Sequence, residues 1–75
     1  MLNVRTTLDL INPDGVEIVI PWDALVPGDS VFFPCINTVE AKAQVKSHFR
    51  LRGWEVVMRA QIEHDIWGLR IWRTA

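Results

Sequence analysis

Only one stretch of this chain carries the period of a long helix, and it is bracketed by its own start and stop signals. Asn37-Thr38-Val39-Glu40 sets a short polar cap three residues ahead of a glutamate, the pattern of a capping box. Gly53 supplies a residue tolerant of the left-handed conformation that ends helices. A helix is therefore expected from about Thr38 to Arg52, roughly 22 Å long at 1.5 Å per residue. At about 100° per residue, Ala41, Val45 and Phe49 share one narrow stripe, the expected core contact. Lys42, Lys46 and Arg50 recur every fourth residue and form a second stripe beside it. The rest of the fold must be arranged around this single amphipathic rod.

The flanking segments have the period of strands. Leu2, Val4, Thr6, Leu8 and Leu10 alternate with Asn3, Arg5, Thr7 and Asp9. Asn12-Pro13-Asp14-Gly15 is a turn signal, with Asp suited to a local side-chain hydrogen bond, and Val16 to Ile20 resume the strand pattern. Residues 2 to 20 thus read as a hairpin. Pro21, Pro27, Gly28 and Pro34 punctuate the next segment, Asp23 is placed to cap a short helical turn, and Ser30 to Phe33 reads as a brief edge strand ended by Pro34. After Gly53, Trp54, Val56, Met58, Ala60 and Ile62 alternate with Glu55, Val57, Arg59, Gln61 and Glu63. The chain turns near His64-Asp65, and the return strand places Trp67, Leu69 and Ile71 on one face and Arg70 and Trp72 on the other.

The order β-β-β-α-β-β, with strands and helix segregated, predicts an α+β fold: a mainly antiparallel sheet of four to five strands with one helix packed on it. The 75 residues form one domain, 1–75. A chain this short buries only about 60% of its unfolded surface. Its single cysteine forms no internal disulfide, and there is no Cys and His cluster of a small zinc fold. One helix cannot cover the inner faces of five strands, so some of Trp22, Phe32, Phe33, Trp54 and Trp67 are expected to stay wet, which predicts a homodimer. The apolar runs fall far short of the roughly 20 residues needed to cross a bilayer, and no basic leader precedes an apolar stretch. The expectation is a cytoplasmic protein of the host cell with no membrane association.

Serine, histidine and aspartate are present, as Ser30, Ser47, His48 and His64 among others, but no nucleophile elbow accompanies them. Cys35 lies just before the helix cap, where a helix N-terminus lowers a thiol pKa, though a small apolar residue closing a strand is the simpler role. Glu63, His64 and Asp65 are metal-ligand types, but three consecutive residues rarely point at one ion. There is no phosphate loop or dinucleotide fingerprint. No enzyme, metal or cofactor is expected.

Charge is distributed unevenly. Residues 1 to 40 carry Arg5 against Asp9, Asp14, Glu17, Asp23, Asp29 and Glu40, a net −5; residues 41 to 75 carry seven bases against Glu55, Glu63 and Asp65, a net +4. Either the halves pair with each other or one face is left basic. On the second reading Lys42, Lys46 and Arg50 contact phosphates as a row, while Arg59, Arg70 and Trp72 on the outer face of the C-terminal hairpin offer an indole beside guanidinium groups for a DNA or RNA base. The same residues also suit a solvated helix face and an ordinary cation–π pair.

Gly28-Asp29-Ser30-Val31-Phe32-Phe33-Pro34, the helix with scattered bases and Gly68-Leu69-Arg70-Ile71-Trp72-Arg73 together resemble short uncharacterised proteins of tailed bacteriophages, over about residues 20 to 74. The resemblance implies phage origin; it carries no established activity and no functional residue. The expectation is a small non-enzymatic accessory protein of phage type that binds nucleic acid through the basic helix and the C-terminal hairpin. The alternative is a protein-interaction module that inhibits a host or defence enzyme through an aromatic surface. A structural component of the virion is a third.

Overall fold

The computed structural model describes residues 10–75. Its elements are β1 (Leu10–Ile11), β2 (Ile18–Val19), a single 3₁₀ turn (Trp22–Ala24), β3 (Ser30–Pro34), α1 (Thr38–Arg52), β4 (Val56–Glu63) and β5 (Ile66–Arg73). The fold is α+β in the expected order, but the five strands among the described residues form two antiparallel sheets. One is the β1–β2 pair; the other has three strands in the order β3-β5-β4. Because β3 and β4 both run antiparallel to β5, they are parallel to each other, and α1 is the crossover that joins them.

Local chemistry sets the ends of α1. The Asn37 side chain accepts a hydrogen bond from the Glu40 backbone N–H at 3.1 Å, satisfying one of the donors that a helix start leaves open. Gly53 ends the helix at φ 73°. Its N–H donates to the Arg50 carbonyl and that of Trp54 to the Phe49 carbonyl, while the Phe49 and Trp54 rings meet edge to face at 5.8 Å. That is a Schellman stop with its apolar clasp.

The β4–β5 connection is a two-residue turn in which His64 and Asp65 both have positive φ, 52° and 66°. Such turns match the twist of the strands they join. They also fix the register: Glu63 lies opposite Ile66, Arg59 opposite Arg70 and Val57 opposite Trp72. Residues directly opposite share a face, and every second residue returns to it. Val31 and Phe33, Leu69 and Ile71, and Val56, Met58 and Ala60 therefore form one face of the three-stranded sheet. Ala41, Val45 and Phe49 of α1 are fully buried in the same core cluster as Leu69 and Ile71.

The described part of the first hairpin is brief. Among the described residues only Leu10–Ile11 pair with Ile18–Val19; the predicted strand residues 2 to 9 lie outside the described residues. Instead of extending the large sheet, this segment folds over the core and contributes Ile11, Ile20, Trp22 and Leu25 to it. Trp22 is buried for that reason, and so is Phe33, whereas Trp67 is 45% exposed. Asp23 lies inside the 3₁₀ turn, which has no side-chain cap.

Asp14 departs furthest from its local reading. It accepts hydrogen bonds from the backbone N–H groups of Ile36 (to Oδ2) and Asn37 (to Oδ1), both at 2.8 Å. The Asn12 N–H donates to the Gln44 side chain at 2.7 Å. The first hairpin is thereby fastened to the start of α1.

Candidate nucleic-acid interface

The orientation of α1 follows from its contacts. On one flank Gln44 receives the Asn12 N–H and His48 meets the Leu10 carbonyl through Nε2 at 3.0 Å, so that flank faces β1. Lys42, Lys46 and Arg50 rise along the other flank. Together with Val39, Ala43 and Ser47 they line an open groove of about 400 Å³ on the outer surface of the helix. Lys46 and Arg50 are exposed and Lys42 half-buried. None of the three forms an ion pair among the described residues, where the one ion pair is Arg70 with Glu63. Among the described residues the row is thus left without an acidic partner.

The outer face of the C-terminal hairpin is a separate surface. Arg59, Arg70 and Trp72 do share it, as the alternation predicted, and Ser30, Phe32 and Pro34 of β3 join them. Since α1 packs on the opposite side, the sheet stands between this face and the helical row. The six candidate residues lie on two separate surfaces, not one. Net charge along a sequence says nothing about which side of a sheet a residue takes.

Arg70 is held in place. Its Nε and Nη2 donate to the two carboxylate oxygens of Glu63 and its Nη1 to the Ser30 hydroxyl at 2.6 Å. This fork-on-fork geometry is the strongest form of the pair. The hydrogen bonds from Arg70 are the main reason the Glu63 carboxyl is lowered from 4.5 to about 2, and Glu63 in turn raises the Arg70 pKa. Arg59, directly opposite Arg70, is exposed and has no carboxylate partner among the described residues.

A second cationic and aromatic cluster was not singled out by the sequence. Trp22 stacks on His48 at 4.6 Å, the Arg52 guanidinium lies 4.9 Å from the Trp22 ring, and that of Arg73 lies 3.6 Å from the Trp54 ring. His48 Nε2 faces a carbonyl, whereas its Nδ1 faces the Arg52 guanidinium. The roles assign the proton to Nε2. The spacing of His48 and Arg52, one turn apart beside the core stripe, is the signal that could have placed them together. Arg52 and Arg73, both half-buried, are thus held against aromatic rings of the fold.

Cys35 is buried at 3% exposure. Burial, and secondarily the nearby Asp14 carboxylate, push its thiol pKa up, opposite to the activation that a helix N-terminus alone would give. Among the described residues no group of three or more His, Cys, Asp or Glu side chains is placed to hold a metal, and no helix is long and apolar enough to cross a membrane. Comparison of the chain with protein-family models, curated proteins and solved structures gives no match.

Proposed function

We propose that this chain is a non-enzymatic nucleic-acid-binding protein, an accessory protein of the phage type it resembles, and that the outward row Lys42, Lys46 and Arg50 follows a phosphate backbone. The observation that carries this reading is the row itself: three cations one turn apart, beside an open groove, with no acid paired to them among the described residues. Successive cations spaced about 6 Å apart on a helix can each displace a counterion from a phosphate. Binding should then be strongest at low salt, and log K should fall against log salt with a slope of about −2.7 on duplex DNA if all three contact phosphates.

Fluorescence anisotropy with labelled DNA and RNA tests it. Replacing Lys42, Lys46 and Arg50 together with Glu should abolish binding of duplex DNA. Absence of binding by the native chain at low salt and micromolar protein overturns the reading, as does a triple variant that binds unchanged.

One observation favours a second reading. Ile36, Val39, Ile62, Ile66 and Trp67 are all exposed around the β4–β5 turn and the β3–α1 connection, Ile36 by as much as 83%. Apolar surface of this kind suits a protein partner, either a second copy of the chain or a host or defence enzyme that the chain inhibits. An interface centred on Trp67 would hold at high salt, where phosphate contacts fail.

A further inference from the structure

We infer that the face of the β3-β5-β4 sheet opposite α1 binds single-stranded nucleic acid, with consecutive bases stacked on Phe32 and Trp72 and the phosphate that links them on Arg59. The inference rests on the nucleic-acid reading above and adds to it a substrate class and a second surface.

The geometry has three parts. First, Phe32 lies opposite Arg70 and Trp72 opposite Ser30, so the two aromatic residues are diagonal neighbours on adjacent strands, about 7–8 Å apart. That separation suits successive bases of an extended strand. Both residues are half-buried, and the Arg70 guanidinium lies 5.8 Å from the centre of the Phe32 ring, so a base on Phe32 would also meet a cation. Second, Gly68 leaves room for the Phe32 ring: a Cβ added there would lie 2.8 Å from Phe32 Cζ. The ring therefore rests against the β5 backbone as a low shelf. Third, the charge on this face is unbalanced. Arg59 and Arg70 are directly opposite, an unfavourable like-charge pair. Glu63 neutralises Arg70 and leaves the Arg59 guanidinium uncompensated among the described residues. An incoming phosphate supplies the missing negative charge.

These parts together select an unpaired strand. A base offers its π-face to an aromatic side chain only when it is not already stacked inside a duplex, and such stacking tolerates any base. A face that carries both rings and an unpaired guanidinium fits a polynucleotide better than an apolar protein surface, which would leave Arg59 buried without a partner.

The test is anisotropy with short fluorescein-labelled oligo-U, oligo-dT and a duplex of equal length. The native chain should bind the single strands more tightly than the duplex. Trp72→Leu should weaken single-strand binding by about tenfold, and Trp72→Phe, which keeps an aromatic plane, should restore most of it. Arg59→Gln should make the single-strand salt slope shallower by about 0.7 while leaving the duplex unaffected. Arg59 is exposed, so this variant decides the matter if Trp72→Leu proves unfolded by circular dichroism. Equal affinity for both forms, with Trp72→Leu and Arg59→Gln binding as the native chain does and the helical triple variant losing both, overturns the sheet site and leaves the helical reading standing. Binding to neither form overturns both.

Discussion

Asp14 and Asn37, 23 positions apart, are joined by a hydrogen bond from the Asn37 backbone N–H to Asp14 Oδ1 at 2.8 Å, and Asp14 Oδ2 takes the neighbouring Ile36 N–H. One carboxylate thus seats the first hairpin against the loop that opens α1, where the helix dipole also favours a negative group. Asp14→Ala should cost about 0.5–2 kcal/mol, the range for losing a capping acceptor. Urea denaturation followed by tryptophan fluorescence should show a lower midpoint with an unchanged slope. A midpoint equal to that of the native chain would show that the hairpin is held by its apolar contacts alone.

The Glu63–Arg70 pair predicts a pH dependence of stability. The folded carboxyl is lowered from 4.5 to about 2, first by the hydrogen bonds from Arg70. A group lowered by folding stabilises the native state when it is ionised in both states. Its contribution is therefore complete above about pH 4.5 and is lost as the pH falls toward 2. Glu63→Gln should flatten the stability profile between those limits and leave its shape above pH 5 unchanged. Thermal midpoints measured across that range check the prediction, and parallel profiles for the two proteins would refute it.

Sequence reading was most successful where a signal is local. The bounds of α1 follow from Asn37 and Gly53, and the faces of β5 follow from simple alternation, which put Leu69 and Ile71 inward and Arg70 and Trp72 outward. Legibility failed where the partner is distant. Asp14 looked like a turn residue bonding to its own neighbours because nothing near it in sequence announces Ile36 and Asn37. The hairpin of residues 10 to 19 looked like more of the same sheet because alternation describes a strand without naming its neighbour. The candidate residues fall on two surfaces for a related reason. Lys42 and Trp72 belong to one basic half of the chain, yet the sheet separates them, and Arg70 looked available because the carboxylate that holds it is seven residues away across a turn.

Cys35 should behave as a structural thiol. It is buried, and burial together with the Asp14 carboxylate raises its pKa, so both access and thiolate fraction are low at neutral pH. A small aromatic disulfide reagent should leave it unmodified in the folded chain at pH 7.5 and label it fully in denaturant. Rapid labelling of the native protein would contradict the burial and reopen a chemical role for the residue.

Gly68 is the tightest point of the sheet. A Cβ there would run into the Phe33 carbonyl oxygen and lie 2.8 Å from Phe32 Cζ and 2.9 Å from Pro34 Cα. The Phe32 ring can swing aside, but the oxygen and Pro34 Cα belong to the backbone of β3. They can yield only if β3 parts from β5, where Pro34 is paired with Gly68. Gly68→Ala should therefore cost about 1–3 kcal/mol as an overpacked site, lowering the thermal midpoint of a chain this size by at least about 4 °C. Shortening the ring, Phe32→Ala, should relieve only part of that loss. The double variant should be less stable than Phe32→Ala alone, because the backbone clash remains. A double variant as stable as Phe32→Ala would mean that the ring, not the strand pairing, is what excludes a side chain at Gly68.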